Sequence, residues 1–536
     1  MKNASTVEEI DHKELEALIK RVEQAIEHGL ALSTDDMKLL LTAISTLCTL
    51  QEKMQQDDVT LHKLRKLLGM VQQSEKRSST RKRKTSKNPG KNKNSRAKRD
   101  TAKVVHHKIT AHERGQLCPE CNIGKLYKFE PAKLLRVSGH APFEAEQHII
   151  EQLRCNACQQ IFKADLPASV LEDGPAGQMY GYTSRTLMAL NKFYSGLPYY
   201  HQGDVAGLFG CKVSASTIYD QCAVVASVVR PVFDALKRLA GNACQFLLDD
   251  THHRILGQQP ELRDKANGKG QVLRTGVYAS GLIAELRGGY EVVLFETSLG
   301  HAGEHLDDIL QHRQDGLPPP LTMSDALSSN LVTKLPIKAG YCNAHARRQF
   351  VDIESRFPEQ VEWVLDNYAK IWEHDATTKE KQLTPEERLA YHQEHSLPVM
   401  QSLKAWCEAE QAKPDHEEHS VLGKAIKYFV KHYERLILFC VESGALIDNN
   451  RMEEKLKIVI RGRKTAHFYK TAKGAGVANV LISIIATANN ADVNVYDYLQ
   501  ALQKHADHVQ QSPEAWLPWN YHASLDPIIA QATATA

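Results

Sequence analysis

LTMSDALSSNLVTKLPIKAGYCNAHARRQF, Leu321 to Phe350, opens with a short apolar run, Leu321 to Ser324, that stops on Asp325. A further strand and helix follow in KAGYCNAHARRQF. Short apolar runs bounded by turn residues are the mark of buried strands. The stretch therefore predicts strand, strand and helix. Upstream, ACQFLL (Ala243–Leu248) is a run of the same kind, ending in Asp249-Asp250-Thr251. Leu273–Ile283 and Tyr290–Glu296 predict two further strands joined by a glycine-bearing turn, and a helix is predicted over His305–His312. Strands and helices in this order suit an α/β fold in which a mixed sheet is covered by helices.

Two of these strands end on aspartate. If they are neighbours, both carboxylates emerge at the same edge of the sheet and repel one another unless cations neutralise them. Hard oxygen ligands of this kind suit magnesium or manganese. A pair of such ions can activate a water or hydroxyl and stabilise the leaving oxygen of a phosphodiester. A third carboxylate is available in SGALIDNNRMEEKLK, Ser443–Lys457. Asp448, Asn449 and Asn450 have side chains suited to a helix start. Glu453 and Glu454 follow on that helix about 100° apart, so both cannot point at the same ions. The charged helical segment from Ser355 to His432 reads as an insertion in the sheet. It either lines a duplex or is a solvated face, and the charge pattern leaves both readings open.

The 536 residues imply several domains, and 42% apolar residues allow a sizeable core. No apolar window approaches the roughly 18 residues of a membrane span. The opening MKNASTVEEIDHKELE has no apolar signal core, so a cytoplasmic protein is expected. A first helix is predicted from Val7 to His28 and a second from about Ser33. In the second, Leu40, Leu47, Met54, Leu61 and Leu68 recur every seventh residue, with Ala43, Leu50, Leu64 and Val71 three positions later. This is a coiled-coil seam or a helical hairpin packed on its own chain. Net charge is only +3, yet Lys76 to Arg99 holds twelve cations, Arg81, Lys82, Arg83 and Lys84 among them, and no acid. Such a tract has nothing to bury and suits a polyanion. Cys118-x-x-Cys121 and Cys155-x-x-Cys158 can supply four thiolates in the tetrahedron that structural zinc prefers. From Thr183 to about Leu239 the pattern is helical, and within Leu197–Ala226 one helix ends near Phe209-Gly210 and a second resumes from a Ser214–Thr217 cap, with helix-turn-helix spacing.

Taken in order, these segments resemble the transposases of the IS66 insertion-sequence family over nearly the whole chain. LLDDT at 247–251 resembles the family's first acidic motif. SDA at 324–326 with YCNAHARRQF at 341–350 resembles the second aspartate and the Cys-x-x-His-x-Arg-Arg-x-Phe signature. IDNNRMEE at 447–454 with RGRKTAHF at 461–468 resembles the third motif. Asp250 stands where glutamate is common, His252-His253 where proline is frequent, and Glu454 where arginine usually follows the acid.

The resemblance implies an RNase H-like catalytic core with a DDE triad of Asp249, Asp325 and Glu453, holding Mg2+ or Mn2+. It implies DNA hydrolysis at the ends of a mobile element and strand transfer to target DNA. Arg347, Arg348, Arg461, Arg463 and Lys464 are expected to join the basic tract in contacting DNA, because guanidinium forks match phosphate oxygens. Cys342 and His345 read as packing or orienting residues. The implied partners are terminal inverted repeats, target DNA, further copies of the chain and small accessory proteins of the same element, with no membrane. The expected segments are an oligomerising zipper (1–74), a basic linker (75–110), a zinc finger (111–165), a helix-turn-helix-like DNA-binding region (166–240), the core's first part (241–354), the helical insertion (355–440), the core's second part with the Glu453 helix (441–505) and a tail (506–536). A DNA-binding regulator with an inactive core, or a structure-selective nuclease of the same fold, are the alternatives.

Overall fold

The computed structural model describes residues 12–29, 31–41, 114–117, 125, 127, 142–154, 161–264, 270–330, 332, 334–414 and 417–527. Most of the heptad seam, the tract holding Arg81, Lys82, Arg83 and Lys84, and the zinc-finger cysteines Cys118, Cys121, Cys155 and Cys158 lie outside them. The chain divides into two compact units, Met1–Lys133 and Leu134–Ala536. In the first, α1 (His12–His28) ends where the pattern predicts. Ser33 Oγ accepts the Asp36 N–H (3.1 Å), and Arg21 pairs with Asp36 at 2.8 Å.

In the second unit β1 (Gln152–Arg154) and β2 (Ile161–Lys163) pair antiparallel, one on each side of the second cysteine pair in sequence. Helices α2 (Ala168–Glu172), α3 (Tyr182–Phe193), α4 (Tyr199–Leu208) and α5 (Ala215–Ala240) follow. Ser214 caps α5 by accepting the Thr217 N–H at 3.1 Å. A five-stranded mixed sheet comes next, in the order β7-β6-β3-β8-β9. Its strands are β3 (Gln245–His253), β6 (Val277–Glu285), β7 (Glu291–Ser298), β8 (Leu321–Ser324) and β9 (Lys338–Tyr341). β6 runs antiparallel between β3 and β7, while β8 and β9 run parallel to β3.

Two predicted strands differ from the structure. β3 does not stop at Leu248 but continues to His253, because β6 pairs with it along its whole length, ending at His253 opposite Val277. The predicted Leu273–Ile283 strand is two strands. β5 (Gln271–Arg274) folds back on β4 (Glu261–Asp264) as a hairpin outside the sheet, and β6 starts afresh at Val277. The predicted His305–His312 helix lies at Ala302–Leu310 (α6).

The remaining helices are α7 (Asn343–Val351), α8 (Pro358–Glu380), α9 (Pro385–His395), α10 (Leu397–Gln411), α11 (Val421–Leu436), α12 (Asn450–Ala466), α13 (Ala472–Asn490), α14 (Val495–Lys504) and α15 (Ala506–Gln511). Helices α8 to α11 build their own core on α7, including Val364, Tyr368, Leu403 and Phe429. Within it, buried Asp375 binds Arg388 (2.7 Å) and Lys379 (2.6 Å). The main core joins the sheet to α5 (Val225, Val229, Phe233) and to the 506–536 segment (Val509, Trp516, Tyr521). Helices α3 to α5 and the described residues 506–527 thus pack into the main core, because the sheet's apolar face needs their cover.

β7 is an edge strand, and its exposed backbone groups need partners. α13 supplies them. Asn479 Oδ1, Ser483 Oγ and Thr487 Oγ1, one helical turn apart, accept the N–H groups of Thr297 (3.0 Å), Phe295 (2.8 Å) and Val293 (3.0 Å). Among the described residues no helix is long and apolar enough to cross a membrane.

Candidate active site

The parallel pairing of β3 with β8 runs to Leu247 opposite Met323. Two residues further along each chain are Asp249 and Asp325, so the register sets the two aspartates side by side where β8 leaves the sheet. Asp325 is held there by Asn330 Nδ2 (2.6 Å) and the Leu327 N–H (3.2 Å), both donated to Oδ1. Asp249 and Asp250 point to opposite faces, as alternation along a strand requires. Asp250, 5% exposed at its side chain, accepts the Ala302 N–H at 3.1 Å, holds His301 Nδ1 at 3.0 Å and receives the Ser280 hydroxyl. It anchors the start of α6 on the face away from Asp249.

The third acid arrives on α12. Gly281 lies opposite Asp249 on β6. A Cβ there would sit 2.3 Å from Met452 Cε and 3.4 Å from Leu456 Cδ2, so the missing side chain lets α12 approach β6 beside Asp249. The stretch leading into α12 is pinned on three sides. Asn449, fully buried, donates from Nδ2 to the Leu248 carbonyl (2.7 Å) and from its backbone to Cys342 Sγ (3.2 Å). Asn343 donates from Nδ2 to the Ile447 carbonyl at 3.1 Å. Asp448 receives Trp372 Nε1 of the insertion at 3.0 Å. Asn449 was expected as a helix cap, but its side chain makes no cap bond and instead ties α12 to β3. Arg451 pairs with Glu285 and Glu291, fixing the first turn of the helix against β6 and β7.

With α12 so placed, Glu453 turns inward and Glu454 is exposed. Glu453 Oε2 lies 3.8 Å from Arg348, and Oε1 lies 3.7 Å from His345 Nδ1. Oε1 and His345 Nδ1 are both buried without a hydrogen-bond partner. The electrostatics tie the three acids together. Burial above all, with the negative charges of Asp325, Glu453 and Asp250 adding to it, raises the Asp249 carboxyl to about 7 against the N–H donated by Asp250 (2.9 Å). A site with an orphaned carboxylate oxygen beside an aspartate held above the usual carboxylate range fits a divalent cation held through oxygen. Cys342 Sγ, a His345 ring nitrogen and a Glu453 oxygen also lie within 4.8 Å of one another. Burial pushes the Cys342 thiol up to about 12, and it accepts the Asn449 N–H, so as placed it is a neutral tether.

The other expected DNA contacts are dispersed. Arg347 is half-buried beside Arg348 on α7. Arg463 donates to Thr251 Oγ1 (2.9 Å) and to the His252 carbonyl, bracing β3 just beyond Asp249. Arg461 and Lys464 are exposed, Arg461 lying over the Tyr194 ring at 5.6 Å. Sequence reasoning passed over Gly281 and assigned Asn449 to the cap. The only signal for either was a small or polar residue inside an otherwise regular pattern.

The profile of the family described as "Transposase IS66 family" matches residues 177–477, more than half of the chain and all three acids. The chain is 25% identical over 386 residues to "Uncharacterized protein y4jD" of Sinorhizobium fredii (strain NBRC 101917 / NGR234), covering 69% of this chain and 71% of that one. It is 25% identical over 398 residues to "Uncharacterized protein y4hP" of the same strain, covering 71% and 68%. With acids from β3, the end of β8 and α12 meeting at one sheet edge inside the matched region, the chain belongs to the IS66 family of transposases.

Proposed function

We propose that this transposase cleaves and joins DNA strands through a DDE triad of Asp249, Asp325 and Glu453 on an RNase H-like core. The convergence of these three acids from segments about a hundred residues apart is the observation that carries the reading. A sheet in which one antiparallel strand separates β3 from the edge strand, with two parallel strands on its other side, supports the RNase H-like assignment. The three carboxylates would hold Mg2+ or Mn2+, which supplies charge neutralisation and an activated oxygen nucleophile for phosphodiester attack. The protein's own part is positioning. Asn449 and Gly281 place the Glu453 helix, Asn330 aims Asp325, and His345 with Arg348 orients the Glu453 carboxylate. Arg347, Arg348, Arg461, Arg463, Lys464 and the Arg81–Lys84 tract are assigned to DNA, and Cys118, Cys121, Cys155 and Cys158 to a structural zinc.

The test is a strand-transfer assay on DNA carrying the element's ends, in Mg2+ and Mn2+, with Asp249→Ala, Asp325→Ala and Glu453→Gln beside the wild type. The expected result is a joined product from the wild type and none from the variants, with DNA binding retained by all. Wild-type binding with no product in either metal would favour a regulator. Cutting without joining would favour a nuclease. Product from Asp325→Ala would overturn the triad.

A further inference from the structure

The insertion carries one strongly charged surface that the site above does not use. α11 reads VLGKAIKYFVKHYERL, with Lys424, Lys427, Lys431 and Arg435 against the single acid Glu434. At 100° per residue, Lys424, Lys431 and Arg435 fall within an arc of about 40°, with Tyr428 at its margin. Phe429, Tyr433 and Leu436 occupy the opposite, buried face. Lys424, Lys427 and Lys431 are exposed. Lys427 pairs with Glu418, and Glu434 stands 3.9 Å from Lys404. Among the described residues no carboxylate pairs with Lys424, Lys431 or Arg435.

An amphipathic helix on a packed core needs only a polar outer face, and lysines alone would satisfy that. Two observations go further. The first is aromatic scaffolding. The Arg435 guanidinium lies over the Tyr341 ring at 4.9 Å and donates to its hydroxyl, while His432 packs against Tyr341 (5.2 Å) and Tyr428 (4.9 Å). Arg435 is thus held on an aromatic base at the end of β9. The second is location. Tyr341, which lies under Arg435, pairs across β9 and β8 with Ser324, the residue before Asp325. The Arg435 end of the basic stripe therefore lies beside the loop that carries the second acid.

We propose that the Lys424–Lys431–Arg435 face of α11 is a phosphate track that holds one strand of duplex DNA as it leaves the catalytic edge beside Asp325. From Lys424 to Arg435 the helix rises about 16 Å. That matches about five nucleotides at 3.4 Å of axis per strand charge. Compact ammonium groups contact phosphate as point charges and read no sequence, so the track would bind any DNA in the same register. The inference rests on the reading of the chain as a DNA-processing enzyme, but its test does not depend on turnover.

The experiment measures binding of a fluorescent duplex to the full-length protein across a salt series, for the wild type, Lys424→Ala/Lys431→Ala, and a control pair elsewhere on the insertion, Lys381→Ala/Lys413→Ala. Each lost phosphate contact lowers the salt slope by about 0.9, so the track variant should lose about 1.8 in slope and bind roughly 30-fold more weakly at 0.15 M salt. The control should match the wild type. An unchanged slope in a track variant that melts like the wild type overturns the proposal, and so does an equal loss in the control. Strand transfer by the wild type is read in parallel. A joined product with an unchanged slope sinks the track and leaves the enzyme standing. A reduced slope without any joined product does the reverse.

Discussion

Replacing Asn449 with alanine removes the bond that ties the start of α12, the helix of Glu453, to β3. Asn449 is fully buried, and its Nδ2 sits 2.7 Å from the Leu248 carbonyl, one residue before Asp249. The backbone bond from Asn449 to Cys342 Sγ survives the substitution, so the loss is confined to the β3 contact. A buried carbonyl left without its donor costs about 1–3 kcal/mol. With a urea m-value of about 3 kcal/mol/M, the unfolding midpoint of the catalytic unit should fall by about 0.3–1 M. The functional loss should exceed the thermodynamic one. Glu453 lies one turn beyond Asn449 and donates its N–H to the Asn449 carbonyl (3.2 Å), so movement at Asn449 is passed to the acid. A displacement of about 1 Å in a reacting group can cost about 100-fold in rate. The assays are tryptophan-monitored urea unfolding and single-turnover strand transfer at saturating DNA, with DNA affinity as the control that should not change. Asn449→Asp should be worse than Asn449→Ala, because a carboxylate would face the Leu248 carbonyl with no proton to offer. If Asn449→Ala keeps both its midpoint and a rate within about threefold of wild type, the packing of Met452, Leu456 and Val459 alone places α12, and the reasoning fails.

Glu453→Gln should abolish strand transfer while Glu454→Gln leaves it near wild type, since only Glu453 turns towards the other two acids; equal losses in the two would refute the orientation of α12. Gly281→Ala should destabilise by about 1–3 kcal/mol, the usual range for overpacking, and lower activity by pushing α12 outward, because its Cβ would meet Met452 Cε at 2.3 Å in a sealed core. Asp375 predicts a pH effect. Burial pushes its carboxyl up, but His392 at 3.6 Å, Lys379 at 2.6 Å and Arg388 at 2.7 Å outweigh burial and hold it below the ordinary value of 3.8. Its stabilisation is therefore complete above that value and is lost as pH falls below it. Asp375→Asn should cost up to about 3 kcal/mol at pH 7 by leaving the half-buried Arg388 without its carboxylate, and should flatten the acid limb of a stability-versus-pH curve. An unchanged acid limb would count against the network.

The local pattern of the chain was legible where a segment's surroundings match its letters. β8 falls on the predicted Leu321–Ser324, and α5 starts from the predicted Ser214 cap, because a short buried run and a helix start are decided by neighbours in sequence. The errors have a common cause. DDTHH reads as the polar end of a strand, yet β3 runs through it because β6 is there to pair. Leu273 reads as the start of a sheet strand, yet it is exposed on a hairpin that pairs with β4. In each case a partner distant in sequence overrode the local preference.

By itself the sequence determined the chemical inventory: three separated acids, a Cys-x-x-His-x-Arg-Arg motif, a basic tract, two cysteine pairs and the alternation of strand and helix around them. Helical spacing was also enough to show that Glu453 and Glu454 cannot both serve one site. Which of them faces inward was settled only by the tertiary structure, through Gly281, Asn449 and the Arg451 ion pairs that set how α12 lies on β3 and β6. Only the fold decided that α13 covers the open edge of β7 and that Arg435 of α11 lies over Tyr341, opposite Ser324 on β8. The physical reason is range. Backbone preference and side-chain periodicity act over a few residues, whereas the meeting of Asp249, Asp325 and Glu453 depends on strand register and helix packing between segments that are neighbours only once the chain has folded.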